Sequence, residues 1–390
     1  MSIFMEEYGV GEKVSHTTVS DWMKTVGLAL LKEARNDIKT SKMKYAFIID
    51  ESITIGSQKL LLVLAVPSEH PGHALTHKDV KVVGMFVAES WKSGTIAEKL
   101  KTIIADITYD PVYVLSDNGH ELVKATEILD LIHHRDISHT LGVFLKETYG
   151  ELPEFKEITE EMGKARLQYH LTKVAYLLPP NQRAICRFMN CFHWIDWGNC
   201  MLAKLDDPEG LKEEERQAFD FIKKHEALLH ELACVMRCYT HVMEVVKNDG
   251  LSRKSYKDLC NYIVKEHMYP DNLRLTGLMT KVWSYLKEEK DKLKPNEWAH
   301  NISSDIIEST FGVFKARKSP NKLYGITPFV LFIPAHAGVV GMHDCKSIDF
   351  KRIFTKYHLK DTKEWKDKNL LTNWVVERQN TLNSGRKISA

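Results

Sequence analysis

The strongest constraint on the fold is a pair of apolar runs that lie close together in the chain, at residues 44–52 and 59–66. Both runs are short and rich in Ile, Leu, Val and aromatic residues, and Gly56 lies between them, so they predict the two strands of a hairpin. The first run ends in Asp50 and Glu51. Because the rest of this strand is apolar, carboxylates at its end indicate a polar site at the edge of a sheet.

Two more acids stand in comparable positions. Residues 111–119 form an apolar run that ends in Asp117 and closes with an Asn-Gly turn. Glu308 lies within residues 302–315, whose apolar positions have helical periodicity, and it shares a helix face with Lys315. Two strand-end aspartates and one helical glutamate form the oxygen ligand set of a two-metal site for phosphoryl transfer.

Each of these residues also has a simpler interpretation. An aspartate before Asn-Gly, such as Asp117, is typical of a turn. Glu308 and Lys315 are equally compatible with the solvated face of an amphipathic helix. The order and context of the three acids favour the metal-site interpretation over these separate alternatives.

With these acids in this order, the chain resembles the DDE transposases of bacterial insertion sequences, in a hAT-like layout. Its Ser-Asp-Asn-Gly at residues 116–119 and its Glu-x6-Lys at Glu308 and Lys315 match motifs of such families. Asp136 and His139 are similar to the Cys/Asp-x2-His string downstream of the second aspartate. Asn301 and Ser304 stand where some families have Tyr and Arg, so the sequence departs from the pattern there.

The resemblance implies an α/β fold: an RNase H-like mixed sheet with a large all-α insertion domain before the last catalytic helix. It implies that Asp50, Asp117 and Glu308 are catalytic and hold two Mg2+ ions, for which Mn2+ can substitute. The activity would be endonucleolytic cutting of transposon ends, followed by recombination in which the 3′-OH is joined to target DNA. The partners would be double-stranded DNA and a second copy of the chain.

Two rival functions remain open at this point. One is an RNase H-like nuclease that cuts DNA without strand transfer. The other is a non-catalytic DNA-binding derivative of a transposase. For Asp136 and His139, a helix cap and a satisfied histidine are the alternatives to a supporting role at the site.

The N-terminal residues 1–40 are interpreted as a partial helix-turn-helix segment with its connector. Ser15 is a plausible N-cap and Gly27 a plausible helix stop, with an apolar stripe between them. This helix would offer Thr17, Ser20 and Lys24 to a DNA groove. The alternative is that these residues only link other elements.

The catalytic domain is expected to span residues 41–150 and to resume at residues 297–345 with Glu308. Residues 151–296 have an almost entirely helical pattern and predict the α-helical insertion domain. Within it, Arg183 and Arg187 are candidates to hold phosphates, and Trp194 to stack on an unpaired base. The alternative for Trp194 is a core position in a helix bundle.

Basic residues follow the last acid. Lys315, Arg317, Lys318 and Lys322 form a cluster that would clamp DNA phosphates beside the metal ions. Residues 346–390 are expected to form a basic helical tail that contacts DNA or another subunit. Elsewhere in a protein such runs are ordinary solvated surface.

Composition limits the remaining possibilities. Lys and Arg number 54 against 52 acidic residues, so the net charge of +2 requires any DNA contact to come from local patches. No apolar run spans a bilayer and no signal peptide is visible, so we expect a cytoplasmic, nucleoid-associated protein without membrane contact. The seven cysteines predict reduced thiols. Cys234, Cys238 and His241 can share a helix face, which leaves a metal site open, although buried thiols are favoured.

Overall fold

The computed structural model describes residues 14–55, 58–180, 191–207, 209–267, 271–295, 298–317, 325–338, 343, 346, 348–372 and 374–386. The chain folds into two compact units. We call them the sheet unit, Met1–Arg135 with Ser303–Ala390, and the helical unit, Asp136–Ile302. The helical unit therefore interrupts the sheet unit in sequence, and it begins earlier and ends later than the insertion predicted at residues 151–296.

The sheet unit contains a five-stranded mixed sheet. Its strands are β1 (Tyr45–Ile55), β2 (Gln58–Pro67), β3 (Lys81–Ala88), β4 (Val114–Ser116) and β5 (His133–Arg135), in the spatial order β3-β2-β1-β4-β5. β1, β2 and β3 pair antiparallel, whereas β4 is parallel to β1 and β5 is parallel to β4. The predicted hairpin, the third strand and the two later strands are confirmed, and the fold is mixed α/β.

Helices fill both units. In chain order they are α1 (His16–Ser41), α2 (Ser93–Ile107), α3 (His120–Ile128), α4 (Ile137–Tyr149), α5 (Pro153–Tyr169), α6 (Cys191–Asp206), α7 (Glu213–Phe219), α8 (Glu226–Asp249), α9 (Arg253–Glu266), α10 (Leu273–Asp291), α11 (Asp305–Arg317), α12 (Phe332–Gly338), α13 (Phe350–Lys356), α14 (Leu359–Asn369) and α15 (Trp374–Arg386). None of these helices, as far as the structure describes them, is both long and apolar enough to cross a membrane.

The central strands are buried on both faces, which explains their continuous apolar sequence. Ala46 and Ile48 of β1 pack in one core with residues of α11 and the segment before α12, including Phe311. Phe47 and Ile49 face the other core, which contains α2 residues such as Leu100. Alternate side chains of a strand point to opposite faces, so β1 separates these two cores.

Helix α1 is longer than the sequence suggested. Ser15 is its N-cap and accepts a hydrogen bond from the Thr18 backbone, as predicted, but the helix continues through Gly27 to Ser41. A Cβ atom on Gly27 would lie 1.8 Å from the carbonyl oxygen of Leu331. Gly27 is therefore a packing contact and not a helix stop, and the prediction of an end there was wrong.

The C-terminal part of the chain completes the sheet unit. The buried Gln58 side chain accepts a hydrogen bond of 2.8 Å from the Ile326 backbone, so the start of β2 fixes the chain after α11. On α1, Glu33 accepts hydrogen bonds from Arg352 and Lys356 of α13. These contacts join residues that are far apart in sequence into one unit.

The helical unit has its own apolar core. This core runs from Ile137 to Ile302 and includes residues of α4 to α6 and α8 to α10. A short antiparallel bridge between Leu251 and His300 closes its end. The amphipathic patterns of these segments predicted helices, and the core shows which faces they bury.

Candidate active site

Asp50 and Asp117 come from two neighbouring parallel strands. Asp117 directly follows β4, but β1 continues past Asp50 to Ile55 because it keeps pairing with the start of β2, so the prediction that Asp50 ends its strand was wrong. β1 and β4 pair with Phe47 opposite Val114 and Ile48 opposite Leu115, and continuing this register places Asp50 beside Asp117. Ile48 and Leu115 both belong to the core that α11 covers, so the next alternate positions, Asp50 and Asp117, lie on the same face. Carboxyl ends of parallel strands are where α/β folds place their ligands.

Helix α11 brings the third acid to this face. It packs on β1, with Ile307, Phe311 and Phe314 buried. Glu308 is exposed on the side of the helix. Lys315 is also exposed, and its Nζ lies 5.7 Å above the centre of the Phe311 ring.

The charges of Asp117 and Glu308 act on Asp50. Burial raises the pKa of Asp50, and the neighbouring carboxylates of Asp117 and Glu308 raise it further, to about 7. A backbone hydrogen bond from Glu51 and the positive charge of Lys315 oppose this rise only in part. Asp50 is thus the carboxyl whose pKa is raised by the charges of the other two predicted acids.

Asp117 has two roles in this geometry. Its Oδ1 atom accepts a hydrogen bond of 2.9 Å from the Gly119 backbone, which is the turn expected from the Asn-Gly sequence. Its carboxylate nevertheless acts electrostatically on Asp50. The turn interpretation and the site interpretation are therefore compatible, because the turn holds the aspartate at the strand end.

These carboxylates suit a divalent cation in their chemistry. Hard oxygen donors bind Mg2+ and Mn2+, and a cation between them would relieve the repulsion that raises the pKa of Asp50. Within the described residues, no three His, Cys, Asp or Glu side chains stand close enough together to hold a metal ion as they are placed.

The supporting residues predicted from the Asp-x2-His string lie in the helical unit. Asp136 is buried and caps α4, where its Oδ1 accepts a hydrogen bond of 2.6 Å from the His139 backbone. The side chain of His139 is exposed. The observed arrangement is the helix cap that was the alternative interpretation of this string.

The residues predicted to contact DNA lie in different environments. Thr17 is exposed, Ser20 is half-buried, and Lys24 forms an ion pair of 3.0 Å with Asp21. Trp194 is 5% exposed and packs edge-on against Phe155, so it is a core residue of the helical unit and is not placed to stack on a base. Arg183, Arg187, Lys318, Lys322 and the side chain of Arg317 lie outside the described residues.

The cysteine cluster of α8 is also a core feature. Cys238 is fully buried, and burial raises the pKa of its thiol to about 12. A thiol that stays protonated at neutral pH is a poor metal ligand. This supports the interpretation of buried thiols for this helix.

Sequence reasoning did not single out Glu51 as a site residue. Asp50 pairs with Leu62 and Ile53 with Leu60, so Glu51 and Ser52 both stand opposite Leu61 in a β-bulge. The Oε2 atom of Glu51 is buried and has no hydrogen-bond partner. The adjacent acids at the end of an apolar strand were the only signal for it in the sequence.

No family model matches this chain, and no curated protein is similar to it in sequence. The geometry of the sheet edge is therefore the basis for a functional assignment.

Proposed function

We propose that this protein is a DDE-type DNA transposase that cuts transposon ends and joins the 3′-OH to target DNA. The observation that carries the proposal is geometric: the parallel register of β1 and β4 brings Asp50 beside Asp117, and the helix that carries Glu308 packs on β1. Burial and the charges of Asp117 and Glu308 raise the pKa of Asp50, which is consistent with this arrangement. The strand order of the mixed sheet is compatible with the RNase H-like fold that such enzymes use.

Each of these residues would have its own role. Asp50 would provide a carboxylate from within β1, Asp117 one from the end of the neighbouring β4, and Glu308 one from α11. When bound, two Mg2+ ions would activate the attacking oxygen and stabilise the leaving 3′ oxygen of the phosphodiester. The exposed Lys315 would hold a DNA phosphate beside these acids, because its ammonium group lies near Asp50 and is accessible.

Protonation of Asp50 would couple the site to pH. With a pKa of about 7, about half of the Asp50 carboxyls carry a proton at neutral pH when no cation is present. Binding of a cation requires the ionised form, so it would release this proton. Activity would therefore rise as pH increases from 6 to 8.

The test is a plasmid that carries the DNA segments flanking the coding sequence, incubated with the full chain and Mg2+ or Mn2+. Cleavage at defined ends and transfer of the 3′ ends into a second plasmid are expected. D50N, D117N and E308Q should each abolish both steps. D305N is the matched control, because Asp305 is an exposed acid that lies one turn before Glu308 on α11.

Each other outcome would refute part of the proposal. Cation-dependent cleavage without joined products would identify the nuclease instead. Sequence-specific binding without cleavage at any cation concentration would identify a non-catalytic DNA-binding protein. Equal loss in D305N and E308Q would show that the first turn of α11 matters for folding and not for chemistry.

A further inference from the structure

A side-chain hydrogen bond fastens the end of β4 to the edge strand β5, directly before Asp117. Ser116 Oγ lies 2.8 Å from His133 Nε2. β5 is at the edge of the sheet and pairs with β4, with Val114 opposite His133. Because alternate residues of a strand share a face, Ser116 is on the same face as Val114 and therefore as His133. The strand pairing thus explains why these two side chains meet.

The hydrogen bonds of Ser116 fix which group donates to which. Its Oγ donates to the backbone carbonyl of Asp117 at 2.7 Å. A hydroxyl has one proton to donate and two lone pairs that accept. Since that proton is used on the Asp117 carbonyl, His133 donates from its Nε2–H to Ser116. Ser116 is fully buried, so bulk water does not compete for either bond, and the chain runs from His133 through Ser116 to the Asp117 backbone.

The carboxylate of Asp117 is held from the other side by Gly119. The Gly119 backbone donates to Asp117 Oδ1 at 2.9 Å, and a Cβ atom on Gly119 would lie only 2.9 Å from the same oxygen. The turn therefore has no space for a side chain at this position. The Asp117 carbonyl sets the direction in which the chain leaves Asp117 toward Gly119, so the Ser116 and Gly119 contacts support each other.

We propose that His133 is a positioning residue for Asp117: acting through Ser116, it holds the turn that orients the Asp117 carboxylate. The effect of His133 on cleavage rests on the proposed function, whereas the hydrogen bonds themselves do not. In this role His133 touches neither DNA nor the reacting atoms. Residues that support a reacting group in this way typically change its effectiveness by about 10- to 100-fold, because a small displacement of a positioned group lowers the rate strongly.

The first test is the rate of DNA cleavage by variants of the full chain, corrected for the folded fraction. H133L removes the donor, and S116A removes the hydroxyl that passes the contact on. Each should lower kcat by about 10- to 100-fold and leave the KM for DNA unchanged. H133Q places an N–H group near the position of Nε2 and should retain most of the rate. The double variant S116A/H133L should lose no more than either single variant, because both changes break the same chain.

The second test needs no activity. Deuterium exchange of the Gly119 amide, followed by NMR of the full chain, reports on its hydrogen bond to Asp117 Oδ1. Relative to the amides of β1, this exchange should become about 10-fold faster in H133L and in S116A. T126V is the matched control, because Thr126 is also fully buried and its hydroxyl donates to Val123 within α3. T126V should keep both the cleavage rate and the Gly119 exchange of the wild-type chain.

The outcomes separate this inference from the proposed function. If H133L keeps the wild-type Gly119 exchange, His133 does not hold the turn and the inference is wrong. Additive losses of rate in S116A/H133L would mean that the two residues act separately, which also overturns it. If the wild-type chain does not cleave DNA but Gly119 exchange becomes faster in H133L and S116A and not in T126V, the proposed function fails while the positioning of Asp117 by His133 stands.

Discussion

The two units treat a half-buried carboxylate in opposite ways. In the helical unit, Glu231 accepts hydrogen bonds from Tyr149, Asn272 and Arg274, the last through two nitrogen atoms at 2.8 Å. Burial alone would raise the pKa of Glu231, but the hydrogen bonds from Arg274, Tyr149 and Asn272 lower it below its ordinary value. In the sheet unit, burial and two like charges raise the pKa of Asp50 to about 7.

The difference separates a carboxylate that stabilises the fold from the one that we propose acts in the site. Glu231 is surrounded by donors from α4 and α10, so its charge stabilises the packing of these helices on α8. Asp50 is surrounded by other acids, so its charge destabilises the fold unless a ligand neutralises it. Carboxylates whose negative charge lacks nearby donors or cations are typical of cation-binding sites. Carboxylates that only stabilise packing, such as Glu231, have donors around them.

The largest expected difference between D50N and E231Q is in the rate of DNA cleavage. D50N should lower the rate of cation-dependent cleavage by at least about 10³-fold, because it removes a ligand of the reacting centre. E231Q should retain the wild-type rate per folded molecule. The measurement is the initial rate on the flanking-DNA plasmid, corrected for the folded fraction. Comparable losses in the two variants would erase the distinction between the carboxylates.

The next effect is on the stability of the helical unit. E231Q leaves the Arg274 guanidinium without its carboxylate partner, and this should destabilise the unit by roughly 2–3 kcal/mol, allowing for the partial exposure of Arg274. Hydrogen exchange of the backbone amides in α8 and α10 measures this local loss. Unchanged protection there would show that the Glu231 network contributes little. E214Q, an exposed change on α7, is a suitable control for the loss of a negative charge.

Replacing Asp50 is expected to change the stability of the chain in the opposite direction. Its pKa in the unfolded chain is near 3.8 and rises to about 7 in the fold, so the protonated form is favoured by folding. The cost of ionisation is absent below pH 4, grows between pH 4 and 7, and is complete above pH 7. D50N should therefore stabilise the cation-free chain by roughly 2 kcal/mol at pH 8 and have little effect at pH 4.

Urea unfolding of the wild-type chain and D50N at both pH values measures this difference. An equal effect at pH 4 and pH 8 would mean that the variant acts through packing and not through charge. A loss of stability at pH 8 would show that the Asp50 carboxylate is compensated in the fold.

The smallest effect is the stabilisation by the cation. At a Mg2+ concentration ten times the dissociation constant, binding to the folded chain adds about 1.4 kcal/mol. This gain should appear in the wild-type chain at pH 8 and shrink at pH 5, where protons compete for Asp50. It should be absent in D50N and unchanged in E231Q. Thermal unfolding with and without Mg2+ provides the comparison.

The sequence predicted the sheet edge better than its surroundings. Strands β1 and β4 were recognisable because apolar runs with terminal acids have few other interpretations. The end of β4 placed Asp117 correctly, whereas β1 continues past Asp50 to Ile55. The helix of Glu308 followed from the periodicity of Ile307, Phe311 and Phe314. These features depend on local pattern, which a single sequence contains.

The sequence pattern did not predict features that depend on contacts between distant segments. Gly27 has the local appearance of a helix stop, but its lack of a Cβ atom serves the approach of Leu331, more than 300 positions later in the chain. The sequence suggested that Trp194 could stack on a base, but it lies in the core of the helical unit. The bulge at Glu51 depends on the register of β2, which the sequence of β1 does not specify.

The interruption of the sheet unit by the helical unit has a consequence for the order of synthesis. When the ribosome has translated β5, the chain contains Asp50 and Asp117 but neither α11 nor the Ile326 backbone that Gln58 binds. The whole of Asp136–Ile302 must still be made, which takes on the order of ten seconds at typical elongation rates. A nascent chain therefore cannot bring the three acids together, and the proposed cleavage activity would arise only after α11 has been synthesised.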